Sequence, residues 1–157
     1  MIEQGDSAPD VELALDDGKT IQLSALKGKP VVLYFYPKDD TPGCTTQAKD
    51  FTSLAADFKK AGAEIIGVSP DSIKSHLKFR DKHTLDVQLA SDESTKVATA
   101  FGAWVEKSMY GKKYMGVERS TFVIDTTGKV ANAWRKVKVP GHAEEVLAAV
   151  KALKQKK

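Results

Sequence analysis

Two apolar runs constrain the fold of this chain more than anything else in it: Val31-Val32-Leu33-Tyr34-Phe35-Tyr36 and Ala63-Glu64-Ile65-Ile66-Gly67-Val68-Ser69, each halted by a proline. Continuous β-branched and aromatic runs of this length suit strands covered on both faces. Between them Ala48, Phe51, Leu54, Ala55 and Phe58 recur at helical spacing until Gly62 ends the pattern. A strand, a helix and a second strand in that order pair in parallel, with the helix as the crossover.

The alternation continues downstream. Helical patterns are expected over residues 73–82 and 93–101, with a short strand over 87–90 between them. Residues 121–125 and 130–134 flank Thr126-Thr127-Gly128-Lys129, a turn composition that predicts an antiparallel hairpin. Val146, Leu147, Val150 and Leu153 make one apolar stripe on a closing helix over 143–154. The expected class is α/β, with a mixed central β-sheet flanked by helices. At 157 residues and 41% hydrophobic content, with no repeat or linker, one domain over residues 1–157 is expected.

The formal charge of +3 arises from lysines interleaved with 21 acidic residues, so a solvated surface is expected rather than a nucleic-acid partner. The lysines at 151, 154, 156 and 157 suit the negative end of a terminal helix. No stretch reaches the length of a membrane span, and Met1-Ile2-Glu3-Gln4-Gly5-Asp6 lacks the basic flank and apolar run of a secretory signal. A soluble, cytoplasmic protein is expected.

Cys44 is the only cysteine, which excludes an internal disulfide and a Cys-rich zinc site. Thr41 is a good N-cap residue and Pro42 a favoured first helical residue, so Cys44 falls at the third helical position. There the helix macrodipole favours negative charge by about 0.3–1 kcal/mol, or ~2 if partly buried. That is not sufficient for a strongly reactive thiolate, which also calls for a fixed cation from elsewhere in the chain. On these grounds alone the thiol is either a reagent or a small apolar filler.

The spacing of Pro37, Thr41 and Cys44 resembles the Pro-x-x-x-Thr-x-x-Cys signature of the peroxiredoxins. A second match runs from Phe101-Gly102-Ala103-Trp104-Val105-Glu106-Lys107 through Tyr110-Gly111-Lys112 to Arg119-Ser120-Thr121-Phe122-Val123-Ile124-Asp125. With Gly5-Asp6-x-Ala8-Pro9-Asp10 at the start, the chain resembles along its whole length the subgroup called bacterioferritin comigratory protein or peroxiredoxin Q. The resemblance implies a thioredoxin-like fold, no cofactor, a peroxide substrate and often a monomer. Carried over by position, it implies that Cys44 is the peroxidatic nucleophile and that Thr41 directs its hydroxyl to the peroxide. Pro37 would shield the pocket, Arg119 would supply the cation, and the Gly43 and Cys44 amides would help hold the substrate oxygens. Many members carry a resolving cysteine five positions after the nucleophile; here that position is Lys49. The expected reductant is therefore an external thiol: thioredoxin, glutaredoxin or glutathione.

Other chemistries fit less well. A disulfide reductase of the thioredoxin type needs Cys-x-x-Cys, which is absent, and a redox-dead binding module would not need Pro37, Thr41, Cys44 and Arg119 together. A cysteine hydrolase needs a histidine base, and His76, His83 and His142 each read more simply as surface or helix-end residues. His76 and His83 could share a helical face, but no third ligand accompanies them and no metal is expected. Met109, Tyr110 and Met115 could line a wall near the thiol, whereas Trp104 is expected to pack.

Overall fold

The computed structural model describes residues 2–153. In chain order the elements are β1 (Glu12–Leu15), β2 (Thr20–Gln22), a short 3-10 turn (Leu23–Leu26), β3 (Val31–Phe35), α1 (Pro42–Ser53), α2 (Ala55–Lys60), β4 (Glu64–Ser69) and α3 (Ile73–His83). They continue with β5 (Gln88–Ser91), α4 (Lys96–Ala100), β6 (Trp104–Met109), β7 (Lys112–Val117), β8 (Ser120–Ile124), β9 (Val130–Trp134) and α5 (His142–Leu153).

A seven-stranded sheet runs in the order β2-β1-β5-β4-β3-β8-β9. Its centre, β3, β4 and β5, is parallel, and β1, β8 and β9 join antiparallel, so the sheet is mixed as expected. The first crossover, β3 to β4, is the unit that the two proline-stopped runs predict. Side-chain alternation along β3 explains why it reads as unbroken apolar sequence: Val32, Tyr34 and Tyr36 enter one core cluster, and Val31, Leu33 and Phe35 enter the other. The first cluster takes Ala48 and Phe51 from α1, Phe58 from α2, Phe79 from α3 and Val146, Leu147 and Val150 from α5. The second takes Leu13, Leu15, Leu23, Val97, Ala98 and Phe101.

Several boundaries differ from the sequence expectation, each for a local reason. The single helical pattern through Phe58 is two helices, because Leu54 leaves α-helical geometry and its amide reaches back only to Phe51 and Thr52. The Ser53 hydroxyl takes the Asp50 carbonyl (2.9 Å) that a continuing helix would have given to the Leu54 amide. The helix expected from Glu93 begins only at Lys96: Thr95 is left-handed (φ 61°), and the Asp92 carboxylate first collects the amides of Val97 (3.1 Å) and Ala98 (2.9 Å). The closing helix is observed through Leu153, and Lys154, Lys156 and Lys157 of the terminal lysine group lie outside the described residues.

Two hairpins have no counterpart in the sequence reading. β1 and β2 turn through Asp16-Asp17-Gly18, and β6 and β7 turn at Tyr110-Gly111, both with positive φ (52° and 77°), the requirement of a type I′ turn. The β6–β7 hairpin forms its own two-stranded sheet, and Met109, Tyr110 and Met115 are exposed on it. Trp104 packs against the second cluster, whereas Cys44 belongs to the first. Among the described residues, no helix is long and apolar enough to cross a membrane.

Candidate active site

The loop after β3 delivers the chain from the sheet into the first turn of α1. Thr41 is extended (φ −91°, ψ 155°), Pro42 opens the helix, and the first i→i−4 bond runs from the Thr45 amide to the Thr41 carbonyl at 2.8 Å. The amides of Gly43 and Cys44 precede that bond, so helix geometry leaves them without intrahelical acceptors. Cys44 is the third helical residue, as the capping pattern predicts, and its residue surface is 2% exposed. Thr41 holds the N-cap position but does not cap with its side chain. Its hydroxyl instead donates to the Lys38 carbonyl at 2.9 Å, inside the loop.

Arg119 arrives from the other end of the chain, at the junction of β7 and β8. Its carbonyl accepts from the Val137 amide (3.0 Å), and the following strand, β8, is buried at every position. The guanidinium divides its donors: Nη2 donates to Cys44 Sγ at 3.3 Å, and Nη1 donates to Gln47 Oε1 at 2.5 Å. Gln47 lies one helical turn after Cys44, buried on the same face of α1. Its Nε2 has no hydrogen-bond partner among the described residues. Gly43 makes the approach possible, since a Cβ at that position would stand 3.2 Å from Arg119 Nη2. Pro37 is half-buried at the start of the loop, and Lys49 is exposed on α1.

Beneath the loop lies a buried polar cluster that the sequence did not announce. The Asp39 side chain accepts from the Tyr36 hydroxyl (2.6 Å), the Ser75 hydroxyl (2.8 Å) and His76 Nδ1 (2.7 Å), while its amide donates to Asp71 Oδ2 (2.8 Å). His76 Nε2 donates to the Ala90 carbonyl at 2.9 Å. The expectation of a surface histidine is therefore wrong for His76, which is the fourth residue of α3 and fully buried. Burial works against charge on its imidazole, but the hydrogen bond and charge of Asp39, with Ala90 and Asp71, overcome it and raise its pKa above the usual histidine value.

His142 does stand at a helix start but is buried too; its Nε2 meets Thr121 Oγ1 at 2.8 Å, and desolvation lowers its pKa. His83 does not join His76. It pairs with Asp40 at 2.8 Å, next to Lys82 at 2.7 Å from the same carboxylate. Ligand-type atoms of Asp39, Asp71 and His76 lie within 4.8 Å of one another, but those of Asp39 and His76 are engaged in the hydrogen bonds just described. The signal for Gln47 was present in its spacing from Cys44. Nothing in the sequence marked Asp39 or His76, because their burial depends on how α3 docks.

A mixed sheet flanked by helices, with a lone thiol at a helix start facing a guanidinium, is a thioredoxin-fold thiol site, and comparison with known proteins agrees. The AhpC/TSA family description matches residues 4–133, and the chain belongs to that family. A Bacillus subtilis protein named peroxiredoxin Bcp is 52% identical over 155 residues, 99% of each chain. The solved bacterioferritin comigratory protein of Xanthomonas campestris, studied for alkyl peroxide reduction, is 51% identical, with a TM-score of 0.87 over 90% of each chain. A mutant of Xylella fastidiosa PrxQ superposes with a TM-score of 0.91 at 42% identity over 97% of each chain. Within the family the chain thus falls with the Bcp/Q peroxiredoxins, and it carries a single cysteine.

Proposed function

We propose that this chain acts as a single-domain, one-cysteine thiol peroxidase, in which Cys44 reduces hydrogen peroxide and organic hydroperoxides and an external thiol regenerates it. The observation that carries the reading is Arg119 Nη2 at 3.3 Å from a sulfur on the first turn of α1. A guanidinium and a helix N-terminus both favour the thiolate, the form that is nucleophilic.

In the first step the Cys44 sulfur attacks the terminal oxygen of R–O–O–H. An S–O bond forms as the O–O bond breaks, and R–O⁻ departs and takes up a proton as ROH, or as water when R is hydrogen. Cys44 becomes sulfenic acid. Arg119 and the Gly43 and Cys44 amides stabilise the charge that grows on the leaving oxygen. The Thr41 hydroxyl, which donates to Lys38, keeps lone pairs free to accept from the peroxide O–H. Pro37 limits water at the loop entrance.

Recovery needs two thiols. The first condenses with the sulfenic acid, releasing water and leaving a mixed disulfide on Cys44; the second displaces Cys44 as a thiol and carries off the new disulfide. Thioredoxin, glutaredoxin and glutathione are the candidate donors. A free cysteine suits a reducing compartment such as the cytoplasm, and a site drawn from one chain suits a monomer.

The test is a stoichiometric pulse of peroxide followed by dimedone and mass spectrometry. A single dimedone adduct on Cys44, with no turnover in Cys44→Ser, is the expected result. Unlabelled Cys44, or a serine variant that still consumes peroxide, overturns the reading.

A further inference from the structure

α1 does not position its own first turn. The N-cap hydroxyl of Thr41 points back into the loop and makes no cap bond, so the angle at which residues 41–44 leave the sheet is set by what holds residues 37–40. Those residues are held by α3. Asp39, whose side chain is only 4% exposed, collects Ser75 and His76 from the first turns of α3 as well as Tyr36 from the end of β3. Asp40, in left-handed geometry (φ 60°), reaches Lys82 and His83 in the last turn of the same helix. Two adjacent carboxylates thus fasten one loop along the length of one helix.

We infer that Asp39 and His76 are positioning residues for the peroxide step: their buried pair fixes the 37–41 loop on α3 and thereby the orientation of Thr41 and Cys44 toward Arg119. Neither touches the reacting sulfur, and their effect runs through the loop. A displacement near 1 Å at a reacting group costs on the order of 100-fold in rate, so a loosened loop has a measurable penalty. This inference rests on the proposed role of Cys44 for its kinetic readout, but not for its structural one.

The groups around His76 define how the strap responds to pH. Tyr36 faces it from just past the end of β3, Asp39 from the loop, Asp71 from the segment between β4 and α3, and the Ala90 carbonyl from β5. Burial, with the charges of Tyr34 and Asp39, pushes the Tyr36 phenol well up, so it stays a donor to Asp39 through the mildly alkaline range. Because His76 Nε2 must donate to Ala90, Nδ1 can donate to Asp39 only while the ring carries both protons. Raising the pH through the His76 titration therefore replaces a donor with a lone pair facing a carboxylate.

The experiment compares the wild-type protein with His76→Gln and with Ser75→Ala, the milder variant, which removes one donor from Asp39 and keeps the pair. Hydrogen exchange of the Thr45 amide, whose bond to Thr41 closes the first helical turn, is followed by NMR beside the rate of Cys44 oxidation by peroxide across pH. Exchange at Thr45 should rise by about tenfold in His76→Gln and by less in Ser75→Ala, as local opening becomes easier. Oxidation should slow by about tenfold in His76→Gln, and the alkaline decline of the wild-type rate should disappear. Wild-type exchange at Thr45 in both variants, or an unchanged pH profile in His76→Gln, overturns the inference; should His76→Gln fail to fold, Ser75→Ala decides. If exchange rises but wild-type Cys44 takes up no oxygen, the strap stands and the peroxidase reading falls.

Discussion

Arg119 Nη2 stands 3.3 Å from Cys44 Sγ although 75 positions of sequence separate the two residues. The contact is built by β3 and β8, which pair antiparallel, so the loop leaving β3 and the junction entering β8 emerge side by side. The sheet brings the two segments together, and the contacts of Asp39 and Asp40 with α3 hold the loop that carries Cys44.

Removing that cation should cost rate without costing the fold. Arg119→Ala is expected to slow peroxide consumption by about 10²–10³, the usual loss for one electrostatic donor at a developing oxyanion. Arg119→Lys should recover only part, because an ammonium cannot donate to Cys44 and Gln47 together in the guanidinium's planar geometry. Stopped-flow kinetics with far-UV circular dichroism checks both points.

Much of this was visible in the residues themselves, and the boundary between legible and hidden is physical. β3, β4 and the hairpin of β8 and β9 follow from unbroken apolar runs and a Gly-containing turn, because strands buried on both faces have little choice of composition. The place of Cys44 in α1 follows from Thr41-Pro42. Arg119 was legible only through resemblance, since no local pattern distinguishes a strand-end arginine that faces a thiol from one that faces water. The β6–β7 hairpin escaped because its faces mix Lys107, Tyr114, Glu106 and Met115 without the alternation that a core-facing strand shows. His76 escaped because a polar residue in a mostly polar helix looks exposed until Asp39 is folded beneath it.

Gly67 is held small by Tyr34. A Cβ on Gly67 would sit 2.6 Å from the Tyr34 ring and hydroxyl, both fully buried, so Gly67→Ala should destabilise by about 1–3 kcal/mol. The Tyr34 hydroxyl has no partner among the described residues, and a buried orphan polar group costs roughly 1–3 kcal/mol. Tyr34→Phe should therefore be neutral or stabilising, and in the double variant it should relieve part of the Gly67→Ala penalty. A double-mutant cycle by urea unfolding gives the coupling.

The two buried histidines should shape stability in opposite directions around pH 6.5, the ordinary value for the side chain. His76 is raised in the folded protein, chiefly because Asp39 outweighs burial, so its contribution is complete below 6.5 and is lost as pH rises through its folded value. His142 is lowered, chiefly by desolvation, so its contribution is present above 6.5 and is lost as pH falls through its folded value. Urea midpoints measured from about pH 5 to 9 should fall at both ends. His142→Gln should flatten the acid limb and His76→Gln the alkaline limb; limbs unchanged in these variants would assign the slopes to other groups.

The single cysteine makes the last prediction the most direct. Because the sequence holds no second cysteine, oxidised Cys44 cannot close a disulfide within the chain. Peroxide followed by one equivalent of glutathione should therefore give a mixed disulfide on Cys44 in the intact mass. The incoming thiol must reach a cysteine whose residue surface is 2% exposed, so the first turn of α1 has to open before the new bond forms. Mixed-disulfide formation should accordingly reach a ceiling as glutathione concentration rises, set by the opening rate, while oxidation by a small peroxide stays proportional to peroxide concentration. A linear dependence on both reagents would show that the thiol enters through the folded turn without any opening.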